Sequence, residues 1–127
     1  MKEIKDYLPF YLGCQAKVIF ARNEAAPEIG ELIEVGKNMA FVETGKHEYY
    51  ECMPYEVKPI LRPLSDMTEE EKTELKLNLF QFANLENYNE VLWRFEQTRF
   101  LLSKHFDLFG LIPAGLAIDK TKINNHD

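Results

Sequence analysis

The chain has 127 residues and a formal net charge of −6, and both values limit the classes of protein to which it can belong. This length allows one hydrophobic core of modest size and is too short for two. A hydrophobic fraction of 46% and an aromatic fraction of 13% are typical of a folded globular protein rather than a disordered chain. The acidic balance extends over both halves of the sequence and argues against a protein that binds nucleic-acid phosphates by charge.

Compartment is inferred from two further properties of the sequence. No run approaches 18 apolar residues, and residues 1–6 lack the apolar core of a signal peptide, so we expect a cytoplasmic protein with no membrane segment. The two cysteines, Cys14 and Cys52, lie far apart and form no CxxC motif. We therefore expect buried free thiols rather than a disulfide framework or a zinc ribbon.

The first half of the chain is predicted to consist mainly of short strands. Residues 4–12 carry enough apolar side chains for one or two helical turns, which Pro9 limits to a short segment. Alternating apolar residues then predict strands near 15–21, 31–35, 39–43, 49–52 and 55–61, with a polar loop at 23–27. Strands this short and this closely spaced predict a small antiparallel sheet or an SH3-like barrel.

Between residues 59 and 68 the hydrophobic period changes from strand-like to helical. Pro59 and Pro63 prevent a helix from running through this junction, and the sequence from Thr68 to Glu71 is typical of a capping box. The first helix should continue through Leu75, Leu79 and Phe82, which recur at helical spacing. After a loop at 84–89, a second helix is predicted from about residue 88 to 105.

These elements together predict an α+β fold in which two helices pack on a small antiparallel sheet. Residues 1–119 should form a single globular domain, mainly β in 1–62 and mainly α in 63–119. Residues 104–119 are too apolar for a surface tail, so we expect them to return and close the core. Residues 120–127 are polar and aperiodic, and they are predicted to fray.

The second helix is predicted to carry apolar side chains on two faces. Its main stripe contains Tyr88, Val91, Leu92, Phe95, Leu102 and Phe106. Trp93 and Phe100 lie seven residues apart, about 20° from each other around the helix, and project away from that stripe. They are the candidate interaction surface, either against the β-half of the same chain or with a partner or second subunit.

Arg99 falls within the main apolar stripe of the second helix. A guanidinium on a core-facing stripe is costly unless it is paired or reaches solvent. We therefore expect an ion pair, with Asp107 or Asp119 as the partner from later in the chain.

Residues with the chemistry for catalysis or metal binding are few and scattered. Cys52 and His47 could form a nucleophile and base, and Cys14 could join them in a zinc site, but neither arrangement has typical spacing. His105 adjoins a helix end, where an imidazolium would interact favourably with the helix dipole. The glycines never cluster into a phosphate-binding loop. We predict no catalytic residue, metal or cofactor.

Three stretches of the sequence resemble a group of phage proteins. They are Asp6-Tyr7-Leu8-Pro9-Phe10-Tyr11-Leu12, then residues 58–66 (KPILRPLSD), then residues 105–112 (HFDLFGLI) followed by 115–119 (GLAID). In these stretches the chain is similar to small uncharacterised proteins encoded by bacteriophages and prophages of anaerobic gut bacteria. The resemblance implies a phage or prophage origin and supplies no activity and no catalytic residues.

Three classes of function stay open from the sequence. The favoured one is a non-enzymatic accessory or protein-interaction module, with a protein partner or self-association through exposed aromatic residues. The alternative is a nucleic-acid-binding module that uses the small β-half, where basic and aromatic residues alternate: Lys17, Arg22, Lys37, Lys46, Tyr49 and Tyr50. The third is an enzyme whose site is assembled from separated residues.

Overall fold

The computed structural model describes residues 2–19, 28–45, 48–75 and 90–123. The chain opens with two short 3-10 turns, Ile4–Asp6 and Leu8–Tyr11. Pro9 lies in the first turn of the second of these, where its missing N–H costs no helical hydrogen bond. The predicted N-terminal helical turns are therefore confirmed, and they place Ile4, Leu8 and Tyr11 in the core.

One open sheet of six strands organises the described part of the chain. The strands are β1 Gln15–Val18, β2 Glu28–Val35, β3 Ala40–Thr44, β4 Tyr49–Cys52, β5 Val57–Leu61 and β6 Ile118–Asp119. Their order across the sheet is β4-β3-β2-β1-β5-β6, with every pair antiparallel except β5 and β6. The predicted antiparallel sheet and its strands are confirmed, whereas the loop at 23–27 lies outside the described residues.

The SH3-like barrel is wrong because the sheet does not close. A barrel would require the first and last strands of the sheet to pair with each other. Here the returning end of the chain occupies the edge of β5 as β6, with Ile60 beside Ile118, while β4 stays at the opposite edge. The fold is a mixed α+β structure built on an open sheet.

One face of the sheet forms the core. Alternate residues of β1 and β3 are buried, and they pack with the two N-terminal turns and with Leu111. In β5, Val57 and the three consecutive residues Pro59, Ile60 and Leu61 are buried. Gly30 is required where β2 crosses this packing, because a Cβ atom there would lie 2.4 Å from the Glu43 carbonyl oxygen. The close approach of β2 and β3 therefore depends on a residue with no side chain.

Two helices follow the first five strands. The first, α1, begins at residue 69 and is described as far as 75. Its capping box is confirmed: the Glu71 N–H donates to Thr68 Oγ1 at 3.1 Å, and the Thr68 N–H donates to Glu71 Oε1 at 2.9 Å. The second, α2, spans Glu90–Ser103. The predicted continuation of α1 through Leu79 and Phe82, and the loop at 84–89, lie outside the described residues.

The apolar segment 104–119 returns to the core as the sequence predicts. Phe106 and Leu111 are completely buried, and Phe109, Ile112 and Leu116 pack against the core while partly exposed. Residues 120–122 form a 3-10 turn capped by Asp119, and residues 124–127 lie outside the described part. The domain boundary at residue 119 stays a prediction.

Truncation should show that this returning segment is part of the domain. We expect a chain that ends after Ser103 to unfold, because it loses the buried Phe106 and Leu111. Burial of each side chain contributes about 1.5–3 kcal/mol, which is a large share of a total stability of roughly 5–15 kcal/mol. A chain that ends after Lys120 should melt as the full-length protein does. Thermal melting followed by circular dichroism measures both, and equal melting temperatures for the 103-residue form and the full chain would contradict this account.

Candidate functional site

The densest polar cluster in the described structure surrounds Arg62. Its Nη1 and Nη2 atoms donate to the two carboxylate oxygens of Glu71 at 2.7 and 2.8 Å. Its Nε donates to Asp66 Oδ2 at 2.9 Å, and Nη2 also donates to the Asp66 carbonyl oxygen at 3.0 Å. The guanidinium lies over the Phe106 ring, 4.3 Å from the ring centroid. This cluster joins the end of β5, the start of α1 and the returning segment.

The electrostatics of this cluster indicate a structural role. The hydrogen bonds from Arg62 lower the pKa of Glu71 to about 2. The same bonds raise the pKa of Arg62, so both groups stay charged at neutral pH. The guanidinium has five N–H donors, and the protein's own oxygens already accept from all three of its nitrogen atoms. Little capacity is left for a ligand.

The cysteine thiols are not activated. Burial raises the pKa of Cys14 to about 12 and that of Cys52 to about 11. A nucleophilic cysteine requires the opposite shift, because the thiolate is the reactive form. Cys52 Sγ instead donates to the Tyr50 carbonyl oxygen at 3.6 Å. His47, the predicted base and zinc ligand, lies outside the described residues.

The prediction that His105 acts as a charged helix cap is wrong. Burial lowers its pKa, and the nearby Lys120 and Arg62 lower it further, so the neutral ring is favoured. His105 helps to end α2 through its backbone instead. It adopts a φ of 64° just after the helix, and its N–H donates to the Leu102 carbonyl oxygen at 2.9 Å. A left-handed residue in this position ends a helix.

Arg99 forms an ion pair as predicted, but Asp107 and Asp119 are wrong as its partners. Its Nη2 lies 3.2 Å from Glu96 Oε2 one turn earlier on α2, and its side chain is largely exposed. The Asp107 carboxylate instead accepts N–H groups of the returning segment, and Asp119 accepts from Thr121. Both predicted partners are thus already committed to local backbone groups.

The interaction surface predicted at Trp93 and Phe100 is described only in part. The backbone of Trp93 belongs to α2, but the structure does not describe its side chain. Phe100 is half-buried, and the Lys104 ammonium lies 5.8 Å from its ring centroid. Phe95, predicted on the core-facing stripe, is 57% exposed, because the described contacts of α2 with the core run through Leu102 and the turn Leu8–Tyr11. The surface itself stays a prediction.

The described residues contain no candidate metal site and no candidate membrane span. No group of three or more His, Cys, Asp or Glu side chains among them is placed to hold a metal ion. No helix within the same ranges is long and apolar enough to cross a membrane.

The second face of the sheet is the strongest candidate for a binding surface. Strand alternation places eleven residues of β1 to β5 on the side opposite the core. Ile60, near the end of β5, is buried. We call the other ten the open face: Gln15, Lys17, Ile29, Glu31, Glu34, Phe41, Glu43, Tyr49, Glu51 and Lys58. Ile29 and Tyr49 are 48% and 63% exposed. Phe41 and Tyr49 are diagonal neighbours across β3 and β4, close enough for their side chains to meet.

Charge is divided unevenly across the open face. Glu31 lies directly opposite Glu43, a pairing of like charges that destabilises a sheet. Glu43 in turn lies opposite Tyr49, whose pKa it raises by accepting a hydrogen bond from the phenol and by its own charge. At the other end Lys17 lies opposite Lys58. The half of the face near β4 is therefore acidic, and the half near β5 is basic.

Among the described residues, β4 is at the edge of the sheet and has no strand on its outer side. The Thr44 N–H donates to the Glu48 carbonyl oxygen at 2.9 Å, which makes Thr44 and Glu48 a hydrogen-bonded pair. Because such pairs alternate along an antiparallel ladder, Tyr50 and Cys52 also bond to β3, while the N–H and C=O groups of Tyr49 and Glu51 point outward. These outward groups form an edge to which another strand could add.

Of the residues predicted to bind nucleic acid, the four that the structure describes do not form one basic surface. Tyr50 packs against the core, and Tyr49 lies beside Glu43 on the acidic half of the open face. Lys17 lies on the same face, three strands away, and Lys37 is exposed in the turn between β2 and β3. Arg22 and Lys46 lie outside the described residues.

Comparison with known proteins does not assign the chain to a family. No protein-family model matches the chain, and neither the curated proteins nor the solved structures include a significant match. The open face and the β4 edge are therefore interpreted from their own residues.

The Arg62 cluster should make the stability of the protein depend on pH. The folded-state pKa of Glu71, about 2, lies below the ordinary value of 4.5. The contribution of the Glu71 carboxylate to the free energy of unfolding is therefore fully present above pH 4.5 and is lost as the pH falls towards 2. We expect Glu71→Gln to cost about 2 kcal/mol at neutral pH and to flatten the loss of stability between pH 5 and 2.

Glu69→Gln is the matched control, since that exposed carboxylate lies on the same helical turn and bonds only to Lys72 among the described residues. Urea unfolding at a series of pH values measures the effect. The account is contradicted if the Glu71 and Glu69 variants give the same profile.

Proposed function

We propose that this chain is a non-enzymatic protein-interaction module that serves as an accessory factor of a phage or prophage. The observation that carries the proposal is the open face, on which Ile29 and Tyr49 stay exposed and Phe41 partly exposed, although most residues of the opposite face are buried in the core. The phage or prophage origin rests on the resemblance of three stretches of the sequence to phage proteins. A cytoplasmic location is part of the proposal, because reduced thiols such as Cys14 and Cys52 persist there.

Two apolar residues of the open face are close together, and a third lies on the next strand. Phe41 and Tyr49 are diagonal neighbours across β3 and β4, and Ile33 is exposed at the irregularity in β2 where the register shifts. Single exposed apolar residues are common on protein surfaces, but a group with charged residues around it is typical of an interaction site. A partner that covers this group would remove it from water.

The β4 edge supplies the directional part of the interaction. An extended segment of a partner could add beside β4 by bonding to the outward N–H and C=O groups of Tyr49 and Glu51. The accessible edge ends at Met53, whose N–H is already bonded to Glu56 Oε1 at 2.9 Å. Main-chain bonds would then provide affinity, and the side chains of the open face would provide selectivity.

The charges near this edge favour a protein partner over nucleic acid. Glu43 lies opposite Tyr49 on β3, and Glu51 lies next to Tyr49 on the same face of β4. A base that stacked on the phenol would therefore bring its phosphates towards two carboxylates. Pairing of β4 with the same strand of a second copy would bring four such carboxylates together. An extended protein segment with basic side chains fits the edge better than nucleic acid or a second copy of β4.

Glu51→Pro tests the edge. Proline removes the outward N–H at this position and leaves the ladder with β3 intact, because prolines are tolerated where a strand's N–H faces solvent. Glu51→Gln removes the charge and keeps the N–H, and it is the matched control. A protein that co-purifies with the wild type from infected or lysogenic cells should bind Glu51→Gln with little change and Glu51→Pro about tenfold more weakly, a loss of about 1.4 kcal/mol.

Two results would contradict the proposal. One is a partner that binds the Glu51→Pro variant as tightly as the wild type while the variant keeps its melting temperature. The other is nucleic acid in the purified complex, with binding in a gel-shift assay that weakens steeply with salt, because phosphate contacts release counterions.

A further inference from the structure

A cavity of about 440 Å³ lies between segments that have no part in the open face. Its apolar lining consists of Ile4, Met53, Pro54, Tyr55 and Leu116. The volume is within the range of roughly 300–1,000 Å³ that is usual for sites that bind small molecules. Ile4 and Pro54 are buried at the base, and Met53 lies just beyond the end of β4.

The walls of the cavity are fixed by their own hydrogen bonds. On one side the 3-10 turn Pro54–Glu56 is held by the bond from the Met53 N–H to Glu56 Oε1, 2.9 Å long. On the other side the turn Ile4–Asp6 is closed by the Tyr7 N–H, which donates to the Ile4 carbonyl oxygen at 3.0 Å. The two turns contact each other. The cavity is therefore largely preformed, which lowers the entropic cost of binding.

The interior suits an alkyl chain. Ile4 and Pro54 are buried at the base, while Met53 and Tyr55 expose much of their apolar surface at the sides. The Leu116 N–H donates to the Leu111 carbonyl oxygen at 2.9 Å, which anchors the third wall. Methionine adapts its shape to an apolar guest because its side chain is unbranched and flexible.

The rim of the cavity is cationic. Lys2 and Lys5 both line it, together with Glu3 and the amide of Asn38. Lys5 Nζ lies 3.5 Å from Glu3 Oε2 in an exposed pair. Among the described residues no carboxylate pairs with Lys2. One positive charge is thus left over at the mouth of an apolar cavity, and this favours a guest with an anionic head and an apolar body.

We propose that this cavity binds a small amphipathic carboxylate of the medium-chain fatty acid class. The alkyl chain lies between Met53, Tyr55 and Leu116, and the carboxylate meets the ammonium groups of Lys2 and Lys5 at the rim. Binding at this site is separate from the interaction of the open face, so either proposal can be correct if the other is wrong.

Calorimetric titration of the full chain with hexanoate, octanoate and decanoate, below their critical micelle concentrations, tests the apolar part. Each buried methylene should tighten binding about threefold to fourfold, so octanoate should bind about tenfold more tightly than hexanoate. Amide chemical shifts should move at Met53, Tyr55 and Leu116. Absence of decanoate binding, or shifts confined to other elements, overturns the proposal.

The charged part is tested by 1-octanol, which has the chain of octanoate and a neutral head. Octanoate should bind more tightly than 1-octanol, and Lys2→Gln combined with Lys5→Gln should weaken octanoate severalfold, up to about tenfold, without changing 1-octanol. Lys104→Gln is the matched control, because that ammonium lies 5.8 Å from the Phe100 ring centroid and Lys104 does not line the cavity. Equal affinity for the two probes, or an equal effect of Lys104→Gln, overturns the proposal.

Discussion

The junction between Arg62 and the returning segment is the interaction on which the rest of the structure depends. The Arg62 N–H donates to the His105 carbonyl oxygen at 2.9 Å, and the Asp107 N–H donates to the Arg62 carbonyl oxygen at 2.8 Å. Between these bonds the guanidinium covers the Phe106 ring and reaches Glu71 at the start of α1. Removing one partner would leave the other charge partly buried and unpaired, which is costly.

Asp107 continues this junction into the core. Its carboxylate is almost fully buried and accepts three backbone N–H groups, from Phe109, Leu111 and Ile112, at 2.9–3.3 Å. The Tyr11 hydroxyl donates to the Phe106 carbonyl oxygen at 2.8 Å and accepts the Leu108 N–H at 3.2 Å. Buried polar groups are tolerated when they are satisfied in this way, and they select one path for the chain.

That path determines which surfaces remain for binding. The returning segment and the N-terminal turns cover one face of the sheet, and β6 occupies the edge of β5. The open face and the edge of β4 are left uncovered among the described residues. The proposed function therefore follows from the course of residues 104–119 rather than from any residue of the open face alone.

Most of the local structure could be predicted from the sequence because its signals are local. Alternation located five strands, and the spacing from Thr68 to Glu71 located the helix cap. Pairing over long distances could not be predicted: nothing local shows that Ile118 lies beside Ile60, and this pairing is what prevents a barrel. Arg99 was misassigned because the oxygens of Asp107 already accept backbone N–H groups, which no spacing reveals.

The candidate site was only partly visible in the sequence for the same reason. The strand pattern already separates Phe41 and Glu43 from the buried Ala40 and Val42. Which of the two faces stays uncovered depends on the return of the chain. The aromatic pair Trp93 and Phe100 therefore stood out by helical spacing, while Tyr49 was grouped with basic residues that it does not adjoin in space.

Amide hydrogen exchange of the full chain tests most directly the claim that the returning segment locks one side of the sheet and leaves the β4 edge free. The account predicts that the amides of Arg62, Asp107 and Leu111 exchange only through global unfolding, with an exchange free energy equal to that from urea unfolding. The outward amides of Tyr49 and Glu51 should exchange at nearly unprotected rates. Rapid exchange at Asp107 and Leu111, or strong protection at Glu51, would contradict it.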